Sequence, residues 1–375
     1  MLDYSTINRF RETYVVGLLA VWLLASCASY AAGVLYSAEP GEVLALTGQF
    51  SPDGHAPSST PAAFHQLRLG LGIAAGLLGI SGIALAYTLR WQGHLRCFWQ
   101  TVRPGLGHTW HALPARQRRG AIVAFAALTA LRLIVSRLLV TVDDSASYEF
   151  FVRKSLLTVS AYYPAPNNHV FSNTLSWLVY QVGQQYWWSM RMPVVLASTV
   201  ATAYWFLGLL RRSNFRVATL AVTLCSLLEL NLFLAAEGRG YALLFGLSAL
   251  GFFSVLSLTD ADASATTRAK AWAGLAVAGI IGLYTVPTFA YFLVPAYSWL
   301  GLYWFYTDNL HRLISTGVVG VVTLMGAALL YAPLLLISGP GALFQNAYVK
   351  PLAISTFLQR VPAYVWELEG GLLGE

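Results

Sequence analysis

The stretch AIVAFAALTALRLIVSRLLVTVDD, residues 121–144, decides the class of fold. Its first 22 residues are apolar apart from Arg132, Arg137 and a few hydroxyls. A membrane-spanning helix needs about 20 such residues to cross roughly 30 Å of hydrocarbon. The run stops on Asp143 and Asp144, at a water boundary where a carboxylate can be held against the bilayer without being buried in it. Charges are costly within hydrocarbon and tend to be kept for function, although many spans simply end in an acid near the headgroups.

The same pattern recurs along the chain. Apolar runs at 15–36, 67–89, 121–142, 192–210, 216–236, 240–258, 271–286, 288–306 and 313–337 read as nine membrane spans. Composition agrees, because 57% of the 375 residues are hydrophobic and 10% are charged. A soluble chain carries about 25% charge. A soluble globule and a disordered chain are thereby excluded. So is a disulfide or zinc framework, since Cys27 and Cys225 lie in apolar runs and Cys97 in a basic connector. The expected fold is an all-α integral membrane protein, a polytopic helix bundle of about nine spans. One further apolar run, HVFSNTLSWLVYQVG at 169–183, is too short and too polar at its start to cross. It reads as an interfacial or re-entrant helix in a long outer loop. By chain order the sequence divides into a two-span extension with a basic cytoplasmic loop (1–120), a transmembrane core (121–337) and an outer C-terminal segment (338–375).

Charge sorts the two faces, because cytoplasmic loops collect Lys and Arg. With the N-terminus inside, 14 of the 23 basic residues fall in cytoplasmic segments, among them Arg9, Arg11, Arg116, Arg118 and Arg119. Making 169–183 a full span would move Arg211, Arg212 and Arg216 outside, which favours the interfacial reading. Ten of the 16 acids fall outside. The net charge of +7 therefore reflects topology and not a nucleic-acid-binding face, since the basic residues are scattered among apolar segments. Arg9, Arg11 and the LASC tetrapeptide ending at Cys27 loosely fit a bacterial lipoprotein signal. The apolar stretch continues to Tyr36, however, and an uncleaved first helix is expected. The 37–66 segment then reads as an outer loop in which the lone His55 is solvated.

Three polar elements stand out on the outer side. The first is Asp143 with Asp144. In the second, Pro164 and Pro166 fix an extended approach, and Asn167 and Asn168 precede His169 at the start of the short helix. Asn is a natural N-cap, and the exposed amides of a helix start attract phosphate. His169 could ligate a metal or contact a phosphate oxygen, with a proton state that shifts easily near neutral pH. The third is Glu237, Gly238, Arg239, Gly240 and Tyr241, a short outer turn. Its Glu and Arg form either a local ion pair, worth about 0–1 kcal/mol at a surface, or an Arg fork aimed at a lipid phosphate. Within the spans, Arg132, Arg137 and Glu229 need partners. An Arg132–Glu229 bridge is one arrangement, and Arg137, nearer the outer face, could reach a lipid phosphate.

An acidic pair after a span, PNNH opening a short helix, Arg191–Met192–Pro193 opening the next span, and EGRGY after a further hairpin together resemble the GT-C class of membrane glycosyltransferases. The nearest branch contains protein O-mannosyltransferase-like and lipid A aminoarabinose transferase-like enzymes, and the resemblance covers roughly residues 121–310. It implies transfer of a hexosyl or pentosyl group from a polyprenyl-phosphate donor to a lipid, glycan or protein acceptor at the outer face of the cell membrane. In that class the first outer loop carries the catalytic acid. The matching position is Asp143, with Asp144 where a second acid is usual. The resemblance also implies a donor-phosphate or substrate site drawn from His169, Asn167, Asn168, Glu237, Arg239, Tyr241 and Arg191, and a possible divalent metal on Asp143, Asp144 and His169. Glu237, Arg239 and Tyr241 match the class motif Glu-Ala-Arg-x-Tyr, with Gly238 in place of the usual Ala. Tyr284 and Thr285 stand where a Tyr-Thr-His turn is frequent, but Val286 and Pro287 follow and no His is supplied. Members of the class usually continue through several more spans, so this is expected to be a compact branch or a chain lacking its carboxy-terminal part.

Two other classes compete. A lipid or glycolipid transporter or flippase would show internal repeats or broken helices in matching halves. No such repeat is found. An inactive GT-C-like assembly subunit would not need both acids, and both are present. The aromatic-rich segment 284–306 could line a groove for the polyprenyl tail, although an interfacial aromatic belt explains any one of its rings. The sequence carries no signal for an oligomeric state.

Overall fold

The computed structural model describes residues 4–48, 61–91, 106–138, 140–164, 166–344 and 352–373; His55 and Cys97 lie outside the described residues. Among these residues every regular element is a helix. Six helices are long and apolar enough to cross a membrane: Thr13–Tyr36, Pro61–Thr88, Ala115–Leu138, Tyr186–Arg212, Tyr241–Thr259 and Leu310–Ile337. An all-helical, multi-pass, membrane-embedded chain is what the apolar pattern builds.

The remaining apolar runs depart from that standard. Ala290–Tyr306 has 17 residues, and Ala265–Thr285 opens on a polar turn containing Arg268 and Lys270. The expected span at 216–236 is interrupted. Leu228 leaves the helical region with ψ of 134°, so the helix Phe215–Leu227 stops and a six-residue helix, Glu229–Leu234, follows. The break leaves terminal carbonyls without helical donors. Asn231 answers one of them, donating its side-chain amide to the Cys225 carbonyl at 2.9 Å. The 37–66 segment is not wholly loop either, since Pro40–Gly48 is helical with Pro at its first position, where a missing N–H costs nothing. The run at 169–183 forms Val170–Val182, whose 13 residues extend only about 20 Å, too short to cross.

Contacts divide the chain into two compact units, Met1–Gly105 with Leu247–Ile337, and Leu106–Gly246 with Ser338–Glu375. Each is discontinuous, a division different in kind from the chain-order boundaries at 120 and 337. The first unit packs Trp272, Leu275, Leu300, Trp304 and Val319 into one cluster. Tyr284 presents its ring to Tyr30 and Tyr331 with centroids 6.0 and 5.3 Å apart, and the Tyr331 hydroxyl donates to the Leu283 carbonyl at 2.7 Å. A Cβ at Gly282 would overlap the Phe289 ring, so this close packing requires glycine.

The second unit holds the polar elements. Its apolar cluster includes Ala121, Phe206, Ala218 and Val222. Arg132, 3% exposed, is held by hydroxyls and not by an acid: its Nη2 donates to Thr202 Oγ1 at 2.7 Å and to Ser226 Oγ at 3.3 Å. Thr202 itself donates to the Ser198 carbonyl at 2.7 Å, which turns an oxygen lone pair toward the guanidinium. The bridge to Glu229 does not form, because the break at Leu228 puts Glu229 on an exposed helix start. Arg137 instead lies over the Trp187 ring at 4.5 Å.

Candidate functional site

After Leu138 the chain turns at Thr141, which is extended (φ −92°, ψ 160°) and caps the helix Val142–Ser147 by accepting the Asp144 N–H at 3.1 Å. With 3.6 residues per turn, neighbours on a helix point about 100° apart. Asp143 and Asp144 therefore part company. Asp144 turns inward and is fully buried, with Oδ2 2.5 Å from Arg191 Nη2. Arg191, buried to the same degree, also donates Nη1 to the Ala236 carbonyl at 2.6 Å. Asp143 turns outward, its side chain 51% exposed, and meets Arg239 Nη1 at 2.7 Å.

Arg239 continues the chain of contacts. Its Nη2 lies 3.0 Å from His169 Nε2, while the Gly240 N–H donates to His169 Nδ1 at 2.9 Å. Both N–H groups point at the ring, and a neutral imidazole, with one acceptor nitrogen, takes one of them according to its tautomer. Burial, reinforced by the Arg239 charge, pushes the His169 pKa down to about 3. The expectation of a histidine titrating near neutrality is thus overturned. Tyr241 supports both partners, its ring edge-on to His169 at 4.9 Å and beneath the Arg239 guanidinium at 5.2 Å.

Glu237 is 4% exposed and accepts the Thr141 hydroxyl on Oε1 at 3.1 Å. The local Glu237–Arg239 ion pair does not form, since the turn carries the guanidinium to Asp143. Burial raises the Glu237 carboxyl above its ordinary range and the Asp144 charge adds to this, while Arg239 and Thr141 oppose it. Burial also raises Asp144, against the opposing pull of Arg191. Gly238 lets the turn close on Asp144: a Cβ there would stand 3.1 Å from Asp144 Oδ1 and 3.2 Å from the Met190 side chain. Asp143, Glu237, Arg239 and Tyr241 line one open cleft of about 610 Å³, whose apolar wall is Leu230, Phe233 and Leu234.

The other anticipated residues divide. Asn167 reaches the edge of the site, donating to the Asp143 carbonyl at 3.3 Å. Asn168 is occupied elsewhere, donating to the Val159 and Tyr162 carbonyls at 3.0 and 2.9 Å and accepting from Asn173 at 2.9 Å. Neither asparagine caps the short helix; His169 holds the cap position and makes no side-chain cap bond. Asn168 and Arg191 thus brace the site without lining it. Asp143, Asp144 and His169 do not assemble as metal ligands, because Asp144 faces Arg191 while Asp143 and His169 share a guanidinium. Among the described residues no group of three or more His, Cys, Asp or Glu could hold a metal ion. Thr141 and Tyr186 are further neighbours of these side chains that the sequence pattern does not single out. Thr141 had a readable signal, Thr-x-x-Asp at a helix start. Tyr186, which interacts with Asp144 and Arg191, had none. Comparison with protein-family models, curated proteins and solved structures finds no match to this chain.

Proposed function

We propose that the protein is a GT-C-like membrane glycosyltransferase that moves a sugar from a polyprenyl-phosphate donor to the hydroxyl of a lipid, glycan or protein acceptor. In this reading Ala265–Thr285 and Ala290–Tyr306 also cross, and the broken pair Phe215–Leu227 and Glu229–Leu234 crosses together, giving nine spans, with the N-terminus cytoplasmic and the cleft on the outer side. The observation that carries it is the run Asp143–Arg239–His169: a half-exposed carboxylate and a guanidinium 2.7 Å apart at one cleft, with the buried imidazole 3.0 Å behind the guanidinium. Resemblance of the motif order to the GT-C class is the second support.

The chemistry follows from the groups present. Asp143 takes the proton of the acceptor hydroxyl as that oxygen attacks the anomeric carbon, assistance typically worth about 100-fold to 10,000-fold. Arg239, braced by His169 behind it, receives the phosphate oxygens and stabilises the charge that develops as the sugar leaves. The base is assigned to Asp143 and not to Asp144, which is enclosed against Arg191. The apolar wall of Leu230, Phe233 and Leu234 accepts the first carbons of the lipid tail. Asp143→Asn is the test. Transfer from a lipid-phosphate sugar should fall by about 100-fold or more with insertion and thermal unfolding unchanged; activity within tenfold of wild type would remove Asp143 from the mechanism.

A further inference from the structure

We propose that Glu237 is the acid that complements Asp143: it holds a proton in the resting cleft and gives it to the phosphate oxygen that leaves the sugar. The proposal rests on the transferase reading above and assigns a group that reading leaves unused. Its ground is a count of charges in a confined place. Asp143 and Asp144 face Glu237 from the Val142–Ser147 helix, and Arg239 faces it from its own turn. Arg191 stands behind Asp144, and His169 is neutral. Three acids therefore share two guanidinium groups, and both are already engaged, Arg191 with Asp144 and Arg239 with Asp143, at 2.5 and 2.7 Å. Glu237 takes part in none of the ion pairs among the described residues. A third carboxylate, 4% exposed, would be a buried charge with no counter-charge of its own, and the neutral acid is the low-energy form. Thr141 fixes where that proton sits. Its oxygen accepts the Asp144 N–H, its hydroxyl proton goes to Glu237 Oε1, and the proton of the carboxyl is left for Oε2.

The step balances. A bond forms between the acceptor oxygen and the anomeric carbon, and the bond from that carbon to the phosphate oxygen breaks. The acceptor proton goes to Asp143, and the Glu237 proton goes to the departing phosphate oxygen. The phosphodiester carries one negative charge and the hydrogen phosphate product also carries one. Arg239 thus meets no added charge. Afterwards Asp143 is the acid and Glu237 the carboxylate, and one proton passes back through the shared cleft before the next turnover. Two carboxyl groups with opposed environments divide acid and base duties in this way.

The test compares wild type, Glu237→Gln and Glu237→Asp in vesicles, with a polyprenyl-phosphate sugar and with its phosphorothioate analogue, whose leaving group is the weaker base. In wild type, kcat should fall at alkaline pH. Glu237→Gln should lose about 100-fold with the phosphate donor, lack the alkaline limb, and recover most of the loss with the phosphorothioate. Glu237→Asp should keep an alkaline limb at a displaced pH. The proposal is overturned if Glu237→Gln keeps the wild-type rate and limb, or loses equally with both donors. If Glu237→Gln does not fold, absence of any limb in wild type or in Glu237→Asp overturns it. Wild type that transfers from neither donor would instead defeat the transferase reading.

Discussion

Replacing Arg191 with Met separates the residue that shapes the site from the one that performs chemistry. Arg191 and Asp144 are both fully enclosed and meet at 2.5 Å, and Arg191 also supplies a charged donor to the Ala236 carbonyl at 2.6 Å. Met keeps a long flexible stem but carries no charge, so the substitution strands a buried carboxyl and a buried carbonyl together. Removing one partner of a buried pair costs about 3–5 kcal/mol. The lost charged hydrogen bond, about 1.5–3 kcal/mol, is contained in that figure. Arg191→Met should therefore unfold about 3–5 kcal/mol more easily in detergent, a large share of the roughly 5–15 kcal/mol that holds a domain together. Asp144→Leu alone should also be strongly destabilised, since it strands the guanidinium. The double variant should lose less than the two singles combined, by about 1–3 kcal/mol of coupling. Its transfer rate per folded molecule should stay within about tenfold of wild type, far above that of Asp143→Asn. Additive losses, or a cost below about 1 kcal/mol for Arg191→Met, would refute the buried pair. A double variant that recovers stability but not turnover would place Asp144 in the chemistry.

Two further outcomes follow from the same geometry. The folded His169 pKa of about 3 lies below the unfolded value of 6.5, so between them the unfolded chain binds the extra proton. The contribution is complete above about pH 6.5 and is lost as pH falls toward 3, by up to about 1.4 kcal/mol per unit. Stability of wild type relative to His169→Gln, measured by denaturant titration at pH 7, 6 and 5, should therefore shrink on acidification; parallel curves would contradict a buried neutral imidazole. Gly238→Ala should lower the unfolding free energy by about 1–3 kcal/mol and the midpoint with it, because its Cβ meets an Asp144 oxygen at 3.1 Å that the Arg191 contact prevents from moving aside. An unchanged midpoint would show that the turn relaxes.

What could be read in advance follows from the range of each interaction. Six of the nine expected spans match helices long and apolar enough to cross, because a 20-residue apolar run is a local property, and the helix Val170–Val182 was legible as too short for the same reason. The break at Leu228 was harder to see, since Leu continues an apolar run. The hint lay in Glu229 and in Asn231, whose amide satisfies the Cys225 carbonyl. Membership of the site was legible for Asp143, His169, Glu237 and Arg239, because polar residues are scarce in such a chain and each one needs a reason. Their roles were not. Asp143 and Asp144 are chemically identical neighbours, and which one faces the cleft depends on Arg191, a residue far along the chain. Arg191 itself read as a phosphate ligand until its partner was known.

The same dependence on partners gives the site its character. Had Arg239 paired with Glu237 in its own turn, Asp143 would be an unattended surface acid and the buried glutamate a fixed anion. Because the turn sends Arg239 across to Asp143 at 2.7 Å, the accessible carboxylate is held in place, and the enclosed one is left with a threonine hydroxyl. In the proposed mechanism a base and an acid arise from two ordinary carboxyl groups through the choice of which one receives the guanidinium. Gly238 sits at the residue between Glu237 and Arg239, where the backbone passes close enough to Asp144 to allow that choice.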